Sequence, residues 1–298
     1  MVPPRFPRLV IYGVGLLGGS LGMAVRRRAM AGRIVGLGRS LERLERARHL
    51  GAIDECHTTP QAALEGADAL VLALPPRQIR ERLADLAELV PAGAFVTDVG
   101  SVKARIVARA EEVLPEHLLF IGSHPMAGSE KSGADHGRSD FYEDHACILT
   151  PTERTRPEAL ELARRFWTAL GARVVEIAPE RHDQLLAGIS HLPHLMAAAL
   201  LQSLARDFAP PAELARIAGG GLRDLTRIAA ADTETWKQIF SENAPAMLAG
   251  LDSLEQTLNQ WRAALQPASP DLKTLGKLWE EGRETRRQLD GDRAESKD

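Results

Sequence analysis

The sequence predicts an α/β domain built on a mostly parallel sheet, followed by an all-helical domain. Three observations carry that prediction. Short apolar runs alternate with helical stretches of about 10–15 residues through the first 178 residues. A glycine-rich turn joins the first strand-like run to the first helical one. After residue 179 no strand-like run recurs, and helical periodicity takes over.

Each element follows from its residues. "RLVIYGVG" is a short apolar run closing in glycines, and "GGSLGMAVRRRAM" reads as the helix after it. "RIVGLGRS" is a second strand, and "ERLERARHLG" a helix closed by Gly51. "ADALVLALPP" is a buried strand stopped by two prolines, and the next helix sets Ile79, Leu83, Leu86 and Leu89 at helical spacing. "AFVTDVGSVK" is a strand followed by the helix "ARIVARAEEVL". "HLLFIGSHP" and "HACILTP" are strands, then come a helix over 157–170 and the strand "ARVVEIAP". From 179 onward, "ERHDQLLAGISHLPHLMAAALLQSLARDF" is one helical pattern containing Pro193. The proline's missing N–H and its clash with a preceding carbonyl predict a kink there. "PAELARIA", "LRDLTRIAAA", "TETWKQIFSENAPAMLAGLDSLEQTLNQWRAAL" and "DLKTLGKLWEEGRETRRQL" are helical as well. The expected domains are therefore 1–178 and 179–289, with 290–298 a frayed polar tail.

A chain of 298 residues, 44% hydrophobic and 26% charged, has ample core for these domains. A net charge of −3 argues against a nucleic-acid partner and against a polybasic membrane surface. Cys56 and Cys147 form no framework, which fits a reducing compartment. "MVPPRFPR" has no signal-peptide apolar region, and no unbroken run of 18 apolar residues occurs. The expectation is a cytoplasmic protein with no membrane partner.

The turn after the first strand reads Gly13-x-Gly15-x-x-Gly18. Gly13 permits a tight turn, Gly15 lets a pyrophosphate approach the backbone, and Gly18 lets helix and strand pack closely. In this strand–loop–helix context the motif predicts a Rossmann-type dinucleotide site, with the helix N-terminus facing the anion. Leu16 and Leu17 of the loop, with Leu74 and Pro75 after the "ALVLALPP" strand, are read as cofactor contacts. The second strand ends in Arg39 and Ser40 where an acidic residue usually binds the adenine ribose. A guanidinium pairs with a 2′-phosphate, so NADP is expected over NAD, with NAD possible. The alternative is an Arg39 that is solvated, or stacked on the adenine of either cofactor.

Ligands of open α/β sheets bind at the carboxyl ends of strands. That places Ser101 of "TDVGSVK" and His124 of "IGSHPMAG" together near the reactive end of the cofactor. A hydroxyl beside an imidazole can orient it to abstract a proton. Taken alone, His124 also reads as an ordinary loop residue.

"GVGLLGGSLG", "DVGSVK", "HPMAGSEKSG", "ISHLPH", "GGGLRDLTRIA" and "W…IFSEN" occur in that order, from about residue 8 to 265. Together they resemble the prephenate/arogenate dehydrogenase family of tyrosine biosynthesis. The resemblance implies a Rossmann domain followed by an all-helical dimerisation and substrate domain. It implies oxidation at the 4-hydroxyl carbon of a cyclohexadienyl ring, with loss of CO₂. His124 matches the family's catalytic histidine, and Ser101 a serine that hydrogen-bonds within the site. Ser190 and His194 match residues lining the substrate site, and His191 a structural one. Arg227 matches a carboxylate-binding arginine, and Arg223 a basic position reaching into the other subunit's site. Trp236 matches a bordering tryptophan and Glu130 a loop residue closing over substrate. Without the resemblance, both arginines read equally as solvated and Trp236 as core. A homodimer fits both the family and "HLMAAALLQSLA", which is apolar nearly all round.

No metal site is expected: His191 and His194 have neither an HExxH pattern nor an acidic cluster. A β-hydroxyacid-type dehydrogenase is the nearest alternative enzyme, but it needs a lysine that the 180–206 helix lacks. A nucleotide-sensing dimer has no reason to keep Ser101, His124 and Arg227 together. About 30 residues follow Leu265, so tyrosine inhibition, if any, is expected to be competitive. Prephenate and arogenate are not distinguished.

Overall fold

The computed structural model describes residues 3–128, 131–266 and 268–295, with side chains to 291. The α/β layer runs β1 Phe6–Tyr12, α1 Leu16–Arg27, β2 Ala31–Leu37, α2 Leu41–His49, β3 Glu55–His57, α3 Pro60–Leu64 and β4 Ala69–Leu72. It continues with α4 Pro76–Ala87, β5 Phe95–Asp98, α5 Ala104–Val113, β6 Leu119–Pro125, β7 Ala146–Thr150, α6 Pro157–Ala169 and β8 Arg173–Glu176. The strands form one sheet in the order β3-β2-β1-β4-β5-β6-β7-β8. Every pairing is parallel except β6 with β7. Consecutive strand residues point to opposite faces, and both faces are covered. Leu9 and Ile11 of β1 join Leu21, Phe95, Phe166 and Trp167 in one core. Val10 and Tyr12 join Val35, Leu72, Ile79, Leu83 and Ile106 in the other. Strand order reverses between β1 and β4, which opens the crevice where such sheets bind ligands.

Helices follow: α7 Pro179–Leu186, α8 Leu192–Asp207, α9 Pro211–Ile217, α10 Gly220–Thr226, α11 Thr233–Glu242, α12 Ala244–Leu265 and α13 Leu272–Glu295. The expected break near Pro193 is a π-turn over Ala187–His191, with the proline in the first turn of α8. Through the π-turn, Pro179–Asp207 is long and apolar enough to span a bilayer by length and composition. Its first half is instead tied to the α/β layer: Asp183 accepts the backbone N–H groups of Lys103 (2.7 Å) and Ala104 (3.0 Å) at the start of α5. On α11, the Glu242 carboxylate accepts from Nε and Nη2 of Arg80, each at 3.2 Å.

The chain divides into two compact units, Met1–Met247 and Leu248–Asp298. Helices to α11 thus belong with the sheet. Within the second unit, Trp261 and Trp279 meet edge to face at 6.4 Å, and Asp271 caps α13 through Thr274.

His124 lies inside β6, within the strand expected from "HLLFIGSHP", opposite Ile148 and 8% exposed. Three expectations change. β3 and α3 were not legible, because "ECH" is too short to show alternation. The single helix expected over 233–265 is broken at Asn243, since Pro245 belongs in a first turn. The tail from 290 continues α13 to Glu295, its Arg, Ala and Glu being good helix formers.

Candidate active site

The glycine turn shows what each glycine does. Gly13 has φ +98°, and a Cβ there would meet the Ala73 carbonyl oxygen at 2.4 Å. A Cβ on Gly18 would meet the Gly13 carbonyl oxygen at 2.0 Å, so this position sets how closely α1 packs on β1. A Cβ on Gly15 would meet nothing within 4 Å: this glycine leaves open space over the start of α1. Such space in front of unpaired helix N–H groups fits a dinucleotide pyrophosphate.

That turn borders a cleft of about 710 Å³. Gly15, Leu16, Leu17, Leu74 and Pro75 line one part of it; Ser101, His124, His194, Arg227 and Trp236 line the rest. Sequence positions from 15 to 236 thus converge: β1, β4, β5 and β6 all end at this edge, and α8, the turn Arg227–Ala230 and α11 bring His194, Arg227 and Trp236 to it. Lys131 and Thr235 also line the cleft and were not anticipated. Arg39 stands exposed beyond the end of β2, while Ser40 caps α2, its hydroxyl oxygen accepting from Arg43 N at 3.3 Å. Arg223 is exposed on α10 and is not among the lining residues. Arg227 is not on that helix but opens the 3₁₀ turn Arg227–Ala230, so the two arginines do not share one α-helical face. Glu130 lies outside the described residues.

Ser190 is not among the lining residues. It acts through its backbone: its carbonyl accepts from His194 Nδ1 at 2.8 Å, which leaves Nε2 of the neutral ring as the acceptor. His194 stacks on Trp236 with centroids 3.8 Å apart. Burial, with the Arg227 guanidinium, holds the His194 imidazole below its ordinary value, against the Ser190 bond. His191 is buried, with Nδ1 3.1 Å from Asn243 Nδ2, so the two histidines hydrogen-bond different partners although both rings pack on Trp236.

Ser101 was expected to orient His124, but the partner on His124 Nδ1 is His182 Nε2, at 2.9 Å. His182 Nδ1 in turn lies 2.8 Å from Asp183 Oδ1. Burial pushes His124 well below its ordinary value, helped by His182, Lys103 and His191. His182 is lowered by burial, with Asp183 opposing. Beneath them the fully buried Lys103 ammonium pairs with Asp98 and donates to the Ser123 carbonyl at 2.8 Å. Asp98 also accepts from Ser123 N (3.1 Å) and Gly100 N (2.8 Å), locking the ends of β5 and β6 on either side of His124. Sequence reasoning missed this layer. "RHD" at 181–183 and the Asp98…Lys103 spacing carry its residue types, but nothing in either marks a partner.

A switch-point cleft, an open glycine turn and a buried neutral imidazole at the strand ends define a nicotinamide-dependent dehydrogenase of Rossmann type. Comparison with known proteins narrows this. The family model "Prephenate dehydrogenase, nucleotide-binding domain" matches residues 21–176, and "Prephenate dehydrogenase, dimerization domain" matches 178–279. The chain belongs to the prephenate dehydrogenase family and is an NAD(P)-dependent oxidoreductase. It is 33% identical to prephenate dehydrogenase of Bacillus subtilis over 87% of this chain and 70% of the relative. It is 32% identical to cyclohexadienyl dehydrogenase of Zymomonas mobilis over 96% and 97%. A solved prephenate dehydrogenase from A. aeolicus, in complex with hydroxyphenyl propionate and NAD+, matches with TM-score 0.86 and 34% identity, over 95% of this chain and 96% of that one.

Proposed function

We propose that the protein oxidises and decarboxylates prephenate and/or arogenate in tyrosine biosynthesis, with NADP preferred over NAD. One observation carries the reading: a single cleft joins the open glycine turn to His124, Ser101, His194, Trp236 and Arg227. Arg227 supplies a cation for a substrate carboxylate, and the stacked His194–Trp236 pair supplies a wall for the ring. His124 takes the proton of the 4-hydroxyl while the O–H electron pair becomes the C=O bond and C4 loses hydride. The bond from C1 to its carboxylate then breaks, its electrons aromatise the ring, CO₂ leaves, and the proton returns to the phenolate oxygen. With Nδ1 of His124 taken by His182, the Ser101 hydroxyl is left to hydrogen-bond the substrate. The nicotinamide, when bound, supplies the hydride acceptor.

The preference for NADP rests on Arg39, exposed at the end of β2 with no carboxylate beside it in "GLGRS". A screened charge-assisted contact to the 2′-phosphate is worth about tenfold in kcat/KM, and the preference should weaken as salt rises. Arg39→Ala should remove it. Gly38→Asp should favour NAD, since a Cβ at Gly38 meets only Leu44, at ordinary contact distance (3.4 Å). Equal use of both cofactors, unmoved by Arg39→Ala, would contradict this assignment. A homodimer is proposed through the helices, with Arg223 reaching the neighbouring subunit's site. For the reaction, reduced nicotinamide and CO₂ should appear one to one from prephenate or arogenate. Reduction without CO₂ would exclude this chemistry.

A further inference from the structure

We propose that His182 and Asp183 are a positioning relay that fixes the tautomer of His124 and so turns its Nε2 lone pair toward substrate. The inference rests on the reading of His124 as the base and adds what makes it one. Asp183 Oδ1 accepts from Lys103 N at 2.7 Å and Oδ2 from Ala104 N at 3.0 Å, so both oxygens act as acceptors, as a carboxylate's do. At the start of α5 that negative charge also meets the positive end of the helix. His182 Nδ1, 2.8 Å from Oδ1, must therefore carry a proton and donate it. His182 is buried and held below its ordinary imidazole value, hence neutral, so its Nε2 has only a lone pair to offer. The 2.9 Å contact to His124 then has one possible polarity: His124 Nδ1–H donates to His182 Nε2. In a neutral His124 the remaining nitrogen, Nε2, is unprotonated.

The opposite polarity fails on the same geometry. Were His182 Nε2 the donor, its neutral ring would present a bare Nδ1 to the carboxylate, two acceptors at 2.8 Å. His124 could then carry its proton on Nε2, where a base needs a lone pair. When His124 takes the substrate's proton, the new imidazolium keeps its bond to His182, and the Asp183 charge lies on the far side of that ring. The carboxylate is itself anchored by backbone N–H groups just after Ser101, so one group sets both the base and the loop that lines the cleft beside it.

The test compares His182→Leu, His182→Gln and His124→Asn with wild type, and reads histidine protonation directly. The wild-type enzyme, saturated with NADP and labelled with ¹⁵N-histidine, is examined by NMR, with His124 assigned by its loss in His124→Asn. The expected result is a protonated Nδ1 and a bare Nε2 on His124. His182→Leu should lower kcat by about 10- to 100-fold, the scale of a mis-set catalytic imidazole, with substrate KM and dinucleotide Kd within about twofold. His182→Gln, whose amide presents an acceptor to one side and a donor to the other, should recover most of that loss. A proton on Nε2 of His124 in the wild type overturns the proposal, whether or not the leucine variant folds. So does a His182→Leu enzyme with undiminished kcat, or a glutamine variant no better than leucine. The underlying reading fails separately: it is lost if His124→Asn turns over at the wild-type rate.

Discussion

His124 sits at the end of β6 with one ring nitrogen committed inward and the other facing a cleft. Its burial has a measurable consequence. A buried neutral imidazole resists protonation, so the base form persists below the ordinary value of 6.5. As pH falls, kcat/KM should decline, because the protonated ring cannot accept the hydroxyl proton, and the acid limb of the profile should lie below 6.5. A limb at or above that value would show that His124 is less enclosed than described. Arg227→Ala should raise substrate KM by about tenfold or more while leaving dinucleotide Kd nearly unchanged. An unaltered KM would place Arg227 outside substrate contact. His124 was legible from its place at a strand's carboxyl end, whereas Arg227, His194 and Trp236 were expected only from the family resemblance; all four line the cleft. His182 and Asp183 were not legible, because the pair reaches its partners only across 58 and about 80 residues of sequence, through the packing of α7 on α5.

At the scale of elements, the β1–turn–α1 unit separates two kinds of glycine. Gly18→Ala forces a Cβ against a backbone oxygen 2.0 Å away and should destabilise the fold by about 1–3 kcal/mol, seen as a lower urea midpoint. Gly15→Ala has open space and should leave stability within about 0.5 kcal/mol, while dinucleotide Kd rises by about tenfold or more. Equal loss of stability in both, or unaltered dinucleotide binding by Gly15→Ala, would contradict the roles assigned. These elements were legible because the long strands are apolar throughout and the helices are amphipathic. Taken alone, "SHPMAG" is rich in turn residues and suggests a loop, but His124 belongs to the strand expected from "HLLFIGSHP", with β7 pairing β6 out to Pro125. The π-turn could be anticipated only as a kink: Pro193 announces a disturbed helix, but not that the slack is taken up over the five residues before it leaves α8's first turn.

At the scale of the molecule, Ile189, Phe208 and Ile217 stand 67%, 74% and 76% exposed. They sit on the helices through which the homodimer is proposed, and burial of such side chains against a second copy would remove them from water. Sedimentation at micromolar concentration should give a dimer, and a fully active monomer would remove both the interface and the shared role of Arg223. Acid should also unfold the protein through its buried histidines. His124, His182, His191 and His194 are all lowered in the fold, His191 to about 4. Between about 4 and 6.5 the unfolded chain therefore binds more protons than the folded one. Stability should be complete above 6.5 and fall as pH drops through this window, by up to about 1.4 kcal/mol per pH unit for each group. Urea unfolding at constant ionic strength checks the sign, and stability that is flat or rising toward pH 4 would contradict it.

The central claim is that this cleft removes hydride and CO₂ from a cyclohexadienyl ring with His124 as the base. The most direct measurement is the initial rate of nicotinamide reduction with saturating NADP and either prephenate or arogenate, run on wild type and on His124→Asn. The wild type should reduce the cofactor with at least one of the two substrates, and His124→Asn should be slower by about 10²-fold or more, with dinucleotide Kd unchanged. No reduction with either substrate, or a His124→Asn enzyme as fast as wild type, would contradict the account.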